Sequence, residues 1–173
     1  GVGGPADRLE PHGKRASPGE GPPKRGGRQG MHASTGSLGQ GWSLGLGQGV
    51  AARVDGRDTR VFVMIGDGEM GEGQVWEAIA AAHKYKVGSL TAIIDQNGYQ
   101  QTAATSKVLD LTPFADKIAA FGWHVQTIDG NSMDAVMGAL ETAAGITDQP
   151  TAIVSRTQKG FGILPLLKEE GDL

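Results

Sequence analysis

The 173-residue chain contains no cysteine, which excludes disulfide bonds, thiolate catalysis and cysteine-based zinc sites. No apolar run approaches the roughly 18 residues that cross a membrane. The chain also lacks an excess of one charge, since its formal net charge is −3 with acids and bases interspersed. That balance argues against a nucleic-acid or anionic-membrane surface as the main function. No secretory signal pattern opens the sequence, and we expect a soluble cytoplasmic protein.

Residues 1–30 differ in composition from the rest of the chain. Nearly half of them are glycine or proline, none is aromatic, and basic residues outnumber acidic ones. Such a segment cannot bury enough apolar surface to offset its chain entropy. We predict a flexible lead-in over residues 1–30 and one domain over residues 31–173. A basic nucleic-acid arm is the less favoured alternative, because charge runs are a weak signal.

Beyond the lead-in, short apolar runs alternate with segments of helical periodicity. The runs predict buried strands, the first of them buried on both faces, at residues 61–65, 90–94, 123–128 and 151–155. Helical spacing predicts helices at residues 37–54, 72–86, 113–121 and 132–144. This alternation predicts an α/β fold with a mainly parallel sheet and helices on both faces. Ligands of such sheets bind at the carboxyl ends of the strands.

The first predicted strand ends in a glycine-rich loop, residues 66–73, that leads into a helix. Glycines let a backbone approach a ligand closely, and a helix N-terminus favours a phosphate. Asp67 in this loop would repel a phosphate unless a cation lay between them. The loop therefore suggests a diphosphate bridged by a metal ion, although by itself it is equally well explained as a tight turn.

The second predicted strand ends in Asp95-Gln96-Asn97-Gly98-Tyr99. Asn97 supplies a neutral amide oxygen and lies 30 positions after Asp67, about the length of one strand–helix–strand unit. The two side chains can therefore meet in space. Mg²⁺ takes about six oxygens, few of them from protein when phosphates are present. The pair at this spacing favours an Mg²⁺–diphosphate site over two unrelated turns.

Gly66-Asp67-Gly68 followed by Asn97 resembles the fingerprint shared by thiamine diphosphate enzymes, including transketolases, α-keto acid dehydrogenases and decarboxylases. The resemblance implies that Asp67, Asn97 and the backbone carbonyl of Tyr99 hold Mg²⁺, together with two diphosphate oxygens and a water. It also implies that Gly66 and Gly68 line the cofactor.

A second motif, residues 34–41, resembles the transketolase version of a cofactor-bordering segment. The resemblance implies cofactor contacts at Gly36 and Leu38, whereas the motif alone is typical of a glycine-rich helix start. Glu72 matches a glutamate that links cofactor sites across a dimer interface. Lys159-Gly160-Phe161-Gly162 resembles the loop that approaches the diphosphate, with Lys159 as a contact or as a surface lysine.

The resemblance runs from about Ala33 to the end and is most similar to the N-terminal chain of split transketolases. It implies transfer of a two-carbon ketol unit between sugar phosphates, with thiamine diphosphate and Mg²⁺ as cofactors. It further implies an oligomer, formed with a C-terminal transketolase subunit or another pyrimidine-binding domain.

Departures from the family leave the catalytic acid or base unassigned. Residues 20–31 lack the family's cofactor-facing histidine, His32 stands where the family has an acid, and the chain ends where the family continues. We therefore expect a truncated domain that is active only with a partner. The alternatives are deoxyxylulose phosphate synthase, an α-keto acid dehydrogenase, or a non-catalytic chain that binds cofactor or partner. His83 and His124 are predicted to be packing or surface residues.

Overall fold

The structure, a computed structural model, describes residues 33–101 and 103–162. The predicted flexible lead-in and His32 lie outside these residues. The helices are α1 Gln40–Val54, α2 Gly73–Lys84, α3 Thr105–Val108, α4 Phe114–Ala120 and α5 Met133–Gly145, with a 3₁₀ helix at Asp67–Gly71. The strands are β1 Val61–Gly66, β2 Leu90–Gln96, β3 Tyr99–Gln100, β4 Ala103–Ala104, β5 His124–Asp129 and β6 Thr151–Arg156.

Four strands form one parallel sheet in the order β1-β2-β6-β5. Gly66 lies opposite Asp95, and Asp95 lies opposite Ser155. The carboxyl ends of the three neighbouring strands are therefore level. Helices cover both faces, with α1, α2 and α4 on one and α5 on the other. The predicted α/β fold with a mainly parallel sheet is confirmed.

The main core lies between the sheet and α1, α2 and α4. Trp42 of α1 is fully buried and meets Trp123 edge to face, with ring centroids 5.7 Å apart. Trp123 Nε1 donates to the carbonyl of Ile79 in α2 at 2.9 Å. Since aromatic pairs of this geometry add to the free energy of area burial, the two tryptophans fix α1 and α2 against the start of β5.

Helix α5 covers the other face with small residues. Ala139 and Ala143 pack on Ile153 of β6, and Ser132 Oγ caps the helix by accepting from the Ala135 amide at 3.3 Å. At the opposite end Arg60 donates to the carbonyls of Ala143 and Ala144. The guanidinium adds hydrogen bonds at the end of the helix, where carbonyls run out of intrahelical partners, although Ala143 also accepts from the Ile146 amide.

The prediction that the first strand is buried on both faces is wrong. Phe62 is 56% and Met64 70% exposed, while Val61, Val63 and Ile65 are buried. β1 is an edge strand of the described sheet, and α5 covers the strands beside it rather than β1 itself. The side chains of β1 therefore alternate between buried and exposed, although all five from Val61 to Ile65 are apolar.

Other differences concern boundaries and short elements. The first helix begins at Gln40 rather than Ser37, because Gly39 takes a left-handed conformation with φ +80°. The second begins at Gly73, after Glu72, and ends at Lys84. The β3–β4 hairpin and α3 were not predicted, since two-residue strands carry no detectable period. No helix within the described ranges has both the length and the apolar character needed to cross a membrane.

We predict opposite effects for two glycines in α1. A Cβ at Gly45 would collide with Val63 Cγ2 of β1, whereas a Cβ at Gly47 meets nothing within 4 Å. Gly45→Ala should lower the free energy of unfolding by about 1–3 kcal/mol through overpacking. Gly47→Ala should raise it by roughly 0.5–1 kcal/mol through helix propensity. Urea unfolding measures both, and equal effects of the two substitutions would contradict the packing of α1 on β1.

Candidate functional site

Asp67 is the first residue of the 3₁₀ helix that follows β1, and its side chain is buried, with 4% exposed. Its Oδ2 accepts a hydrogen bond from the Gly98 amide at 2.7 Å. Its Oδ1 is buried and has no hydrogen-bond partner in the described structure. A buried carboxylate oxygen in this condition is costly unless a cation or donor reaches it.

The pKa of Asp67 is raised above its ordinary value, chiefly because burial disfavours the charged form. The hydrogen bond from the Gly98 amide and the nearby amide of Gly68 oppose the rise, and the negative charge of Asp95 adds to it. The site therefore has an unfavourable concentration of negative charge, which a bound cation would relieve.

Asn97 lies next to Gly98, whose amide Asp67 binds, so the structure brings the Asn97 segment to Asp67. Asn97 Nδ2 donates to Asp95 Oδ2 at 3.1 Å, and its Oδ1 accepts from the Tyr99 amide at 2.9 Å. Because Asn97 Nδ2 points to Asp95, Asn97 Oδ1 faces the β3–β4 hairpin, which begins at Tyr99. A carbonyl oxygen has two lone pairs, so Asn97 Oδ1 retains one for a ligand.

Asp95 and Thr157 have roles that the sequence did not reveal. Thr157 Oγ1 donates to Asp95 Oδ1, and the Thr157 amide donates to the carbonyl of Gln96 at 3.2 Å. Asp95 thus binds Asn97 with one oxygen and the loop after β6 with the other. Its position at the end of β2 was visible in the sequence, but its partner 62 positions away was not.

The loop after β6 is fixed at a further point and carries Lys159. The Gln158 amide donates to Asn131 Oδ1 at 2.9 Å. Lys159 Nζ lies 5.5 Å from the centroid of the Tyr99 ring, within the range of a cation–π contact. The structure therefore places Lys159 beside the predicted metal-binding segment, with the side chain exposed.

The two predicted glycines differ in their surroundings. A Cβ at Gly68 would lie 2.7 Å from Gln100 Cβ, so Gly68 is required for the β3–β4 hairpin to pack on the 3₁₀ helix. Gly66 has ordinary extended dihedrals, and nothing lies within 4 Å of its Cβ position. Packing does not require glycine at position 66, and the space beside it is open to a ligand.

The remaining predicted residues lie in the segment before α1 and at the start of α2. Gly36 is exposed in an irregular segment, and Leu38 is 48% exposed in the turn before α1. Glu72 is the N-cap residue of α2 but makes no capping hydrogen bond with its side chain. Within residues 33–101 and 103–162 no three His, Cys, Asp or Glu side chains form a metal-binding group.

These features fit a divalent cation bound together with a diphosphate. Asp67 offers one unpaired oxygen, Asn97 one lone pair and Tyr99 a backbone carbonyl, which is fewer than the six oxygens that Mg²⁺ takes. The ligand would supply the others. Such an edge, with oxygen donors at the carboxyl ends of parallel strands, is typical of α/β domains that bind phosphate-bearing cofactors.

Comparison with known families specifies the class further. Residues 5–171 match the family model of the transketolase thiamine diphosphate binding domain. The chain belongs to this family, and the match begins ahead of Ala33, where the resemblance was predicted to start.

Curated relatives include proteins named as transketolase subunits. The chain is 37% identical over 134 residues to one chain of the apulose-4-phosphate transketolase of Phocaeicola vulgatus, covering 78% of this chain and 48% of that protein. It is 41% identical over 133 residues to SqwG, a component of the 6-deoxy-6-sulfo-D-fructose transketolase of a Clostridium species, covering 77% and 48%. The chain thus spans about half the length of these relatives.

Solved structures agree with this assignment. A transketolase variant from Pichia stipitis superposes with a TM-score of 0.83 at 27% identity, over 90% of this chain and 25% of that one. The transketolase of Campylobacter jejuni gives 0.81 at 25% identity, over 91% and 26%.

A cleft of about 280 Å³ at the opposite ends of the strands is not part of this site. Arg53, Arg57 and Arg60 line it. Arg53 and Arg60 donate to backbone carbonyls, and Arg57 pairs with Asp55. Each of these guanidinium groups thus has a partner within the protein, and the cleft lies at the other end of the strands from Asp67.

The Asp95 contacts generate a stability prediction. Asp95→Ala leaves Asn97 Nδ2 and Thr157 Oγ1 without their acceptor and should lower the free energy of unfolding by about 1–3 kcal/mol. Asp148→Ala, at an exposed loop position, is the matched control and should change it by less than about 0.5 kcal/mol. Equal urea midpoints for the two variants would refute the role given to Asp95.

Proposed function

We propose that this chain supplies the Mg²⁺–diphosphate half of a thiamine diphosphate site in a transketolase-like transferase. The enzyme would move a two-carbon ketol unit from a ketose phosphate to an aldose phosphate. The observation that carries the proposal is the Asp67 carboxylate, buried with one oxygen unpaired and the other bonded to the Gly98 amide.

Asp67, Asn97 and the carbonyl of Tyr99 would hold the cation. Asp67 is the charged member of the set, and its buried position strengthens its attraction for a cation because little water screens it. Asn97 adds a neutral oxygen whose direction Asp95 fixes through the 3.1 Å bond to Nδ2. Mutating a residue that hydrogen-bonds a metal ligand, as Asp95 does here, commonly lowers metal affinity by about 10–100-fold.

The surrounding residues would place the cofactor. The open space at Gly66 admits a diphosphate close to the backbone, and the exposed ammonium of Lys159 can approach it from the loop after β6. Leu38 offers an apolar surface for the organic part. When bound, thiamine diphosphate supplies a carbanion at its thiazolium ring, and this chain's residues bind and orient it.

A partner chain or domain is part of the proposal. Two relatives are named as subunits of transketolases, and this chain spans about half their length. Exposed apolar side chains flank the same edge: Leu38, Leu109 near Gly71, and Phe161 two residues after Lys159. A pyrimidine-binding domain seated here would cover them and would complete the cofactor site.

The acid–base groups would also come from outside the described residues. His83 Nδ1 lies 3.1 Å from the Gly122 carbonyl oxygen, and His124 begins β5 at the amino end of the sheet. Neither lies at the carboxyl edge, and the sequence predicts both to be packing or surface residues. The relatives' names refer to apulose-4-phosphate and 6-deoxy-6-sulfo-D-fructose, and we propose a sugar phosphate as the substrate class for this chain.

Thiamine diphosphate titration tests the proposal. Binding to the full chain, measured by calorimetry with and without Mg²⁺ and with a pyrimidine-domain partner in a second series, should require Mg²⁺. Asp67→Ala should weaken it by about 100-fold or more, since a direct ligand matters at least as much as its outer partners. Asp58→Ala, exposed at the other end of the strands, is the control and should bind like the unsubstituted chain.

Ketol transfer between sugar phosphates should appear only in the second series. Binding without transfer there would favour a non-catalytic cofactor-binding chain, and turnover of α-keto acids instead would favour another thiamine diphosphate enzyme. A folded chain that binds no cofactor in either series contradicts the proposed site.

A further inference from the structure

The peptide unit that joins Leu38 to Gly39 is bonded at both of its polar groups to side chains from another segment. Its N–H donates to Glu69 Oε2 at 2.9 Å. Its C=O accepts from Gln74 Nε2 at 2.9 Å. Because one rigid plane carries both groups, the two bonds fix the position and the tilt of this peptide together. We call Glu69 and Gln74 the peptide clamp.

Packing around Gly39 restricts the same peptide further. Gly39 has φ +80°, a conformation that favours glycine, and no side chain caps the start of α1 at this residue. A Cβ at Gly39 would lie 3.1 Å from side-chain carbons of Gln74, Glu72 and Val75. The backbone of the Leu38 turn thus lies directly against the start of α2.

The clamp residues belong to the segment that also carries the proposed metal ligand. Glu69 lies in the 3₁₀ helix two positions after Asp67, and Gln74 is the second residue of α2. The Leu38 turn comes from a distant part of the chain, with Glu69 30 positions after Gly39. The clamp therefore couples the location of Leu38 to that of Asp67.

Leu38 and Asp67 suit different parts of one ligand. Leu38 is half exposed, and its aliphatic side chain has no group that can hydrogen-bond a diphosphate. Any contact of Leu38 with the cofactor would therefore be with its organic rings rather than with the diphosphate. Asp67 can act only on the cation and diphosphate end.

We propose that Glu69 and Gln74 are positioning residues for the cofactor. They hold the Leu38–Gly39 peptide so that Leu38 meets the organic part of thiamine diphosphate while Asp67 holds the metal end. The inference rests on the proposed function and adds to it two residues that touch neither the metal nor the diphosphate. A carboxylate suits the N–H side because a charge-assisted hydrogen bond is about twice as strong as a neutral one.

Titration with two different ligands distinguishes an effect on the peptide clamp from an effect on the metal site. The full chain is titrated by calorimetry with thiamine diphosphate and with inorganic pyrophosphate, each with Mg²⁺. Glu69→Ala and Gln74→Met should raise the Kd for thiamine diphosphate by about tenfold, the effect of one or two lost hydrogen bonds, and leave the Kd for pyrophosphate unchanged. Asp67→Ala should weaken both ligands.

Matched variants and a local readout accompany the titration. Glu69→Gln keeps an acceptor for the Gly39 amide and should restore most of the affinity for thiamine diphosphate. Glu141→Ala and Gln48→Met, both at exposed helix positions, should bind like the unsubstituted chain. Hydrogen exchange at the Gly39 amide should accelerate in Glu69→Ala and stay slow in Glu141→Ala.

The outcomes distinguish this inference from the proposed function. Suppose that the unsubstituted chain binds both ligands and that the clamp variants keep its Kd for thiamine diphosphate. The positioning role is then refuted, and the proposed function is unaffected. An equal loss of both ligands in the clamp variants also refutes it, because the clamp would then support the metal site in general. An unsubstituted chain that binds neither ligand, with or without the pyrimidine-domain partner, overturns the proposed function, and the inferred role of Glu69 and Gln74 is overturned with it.

Discussion

The hydrogen bond between Asp67 Oδ2 and the Gly98 amide, 2.7 Å long, is the contact on which the carboxyl edge depends. It joins the segment after β1 to the segment after β2, and it holds the Asp67 carboxylate where Oδ1 is buried without a partner. A domain that keeps a carboxylate in this state loses stability by it, as functional sites commonly do. The desolvation that raises the pKa of Asp67 is the same physical condition that makes the residue a strong attractor for a cation.

The rest of the edge follows from the parallel sheet. Because Gly66, Asp95 and Ser155 are in register, the segments that leave β1, β2 and β6 start at one level and can bond to one another. Asp95 links Asn97 to the loop after β6 through Thr157, and Asn131 fixes that loop again at Gln158. The clamp on the Leu38–Gly39 peptide extends this network to the start of α1. The site is thus a set of loops cross-linked by side-chain bonds on a rigid sheet, an arrangement that preorganises a ligand site.

Features that repeat along the chain or lie at strand ends could be predicted from the sequence. The juxtaposition of Asp67 and the Asn97 segment was predictable because one strand–helix–strand unit sets the distance, and the fold class followed from alternating periods. The exposure of Phe62 and Met64 could not be predicted, since a run of five apolar residues gives no sign of whether a strand is at an edge. The hydrogen bonds of Glu69 and Gln74 could not be predicted either, because they end on a backbone peptide and leave no pattern of paired side chains. The partner of Asp95 lies 62 positions away, beyond the reach of any local motif.

The proposed function requires that a divalent cation bind between Asp67 and the Asn97–Tyr99 segment together with a diphosphate. Paramagnetic broadening of backbone amide signals by Mn²⁺, recorded for the full chain with and without thiamine diphosphate, tests it directly. We expect selective loss of the Gly68, Gly98 and Tyr99 amide signals at low Mn²⁺ only when the cofactor is present. Broadening centred on another part of the chain, or the same weak broadening with and without cofactor, would contradict it.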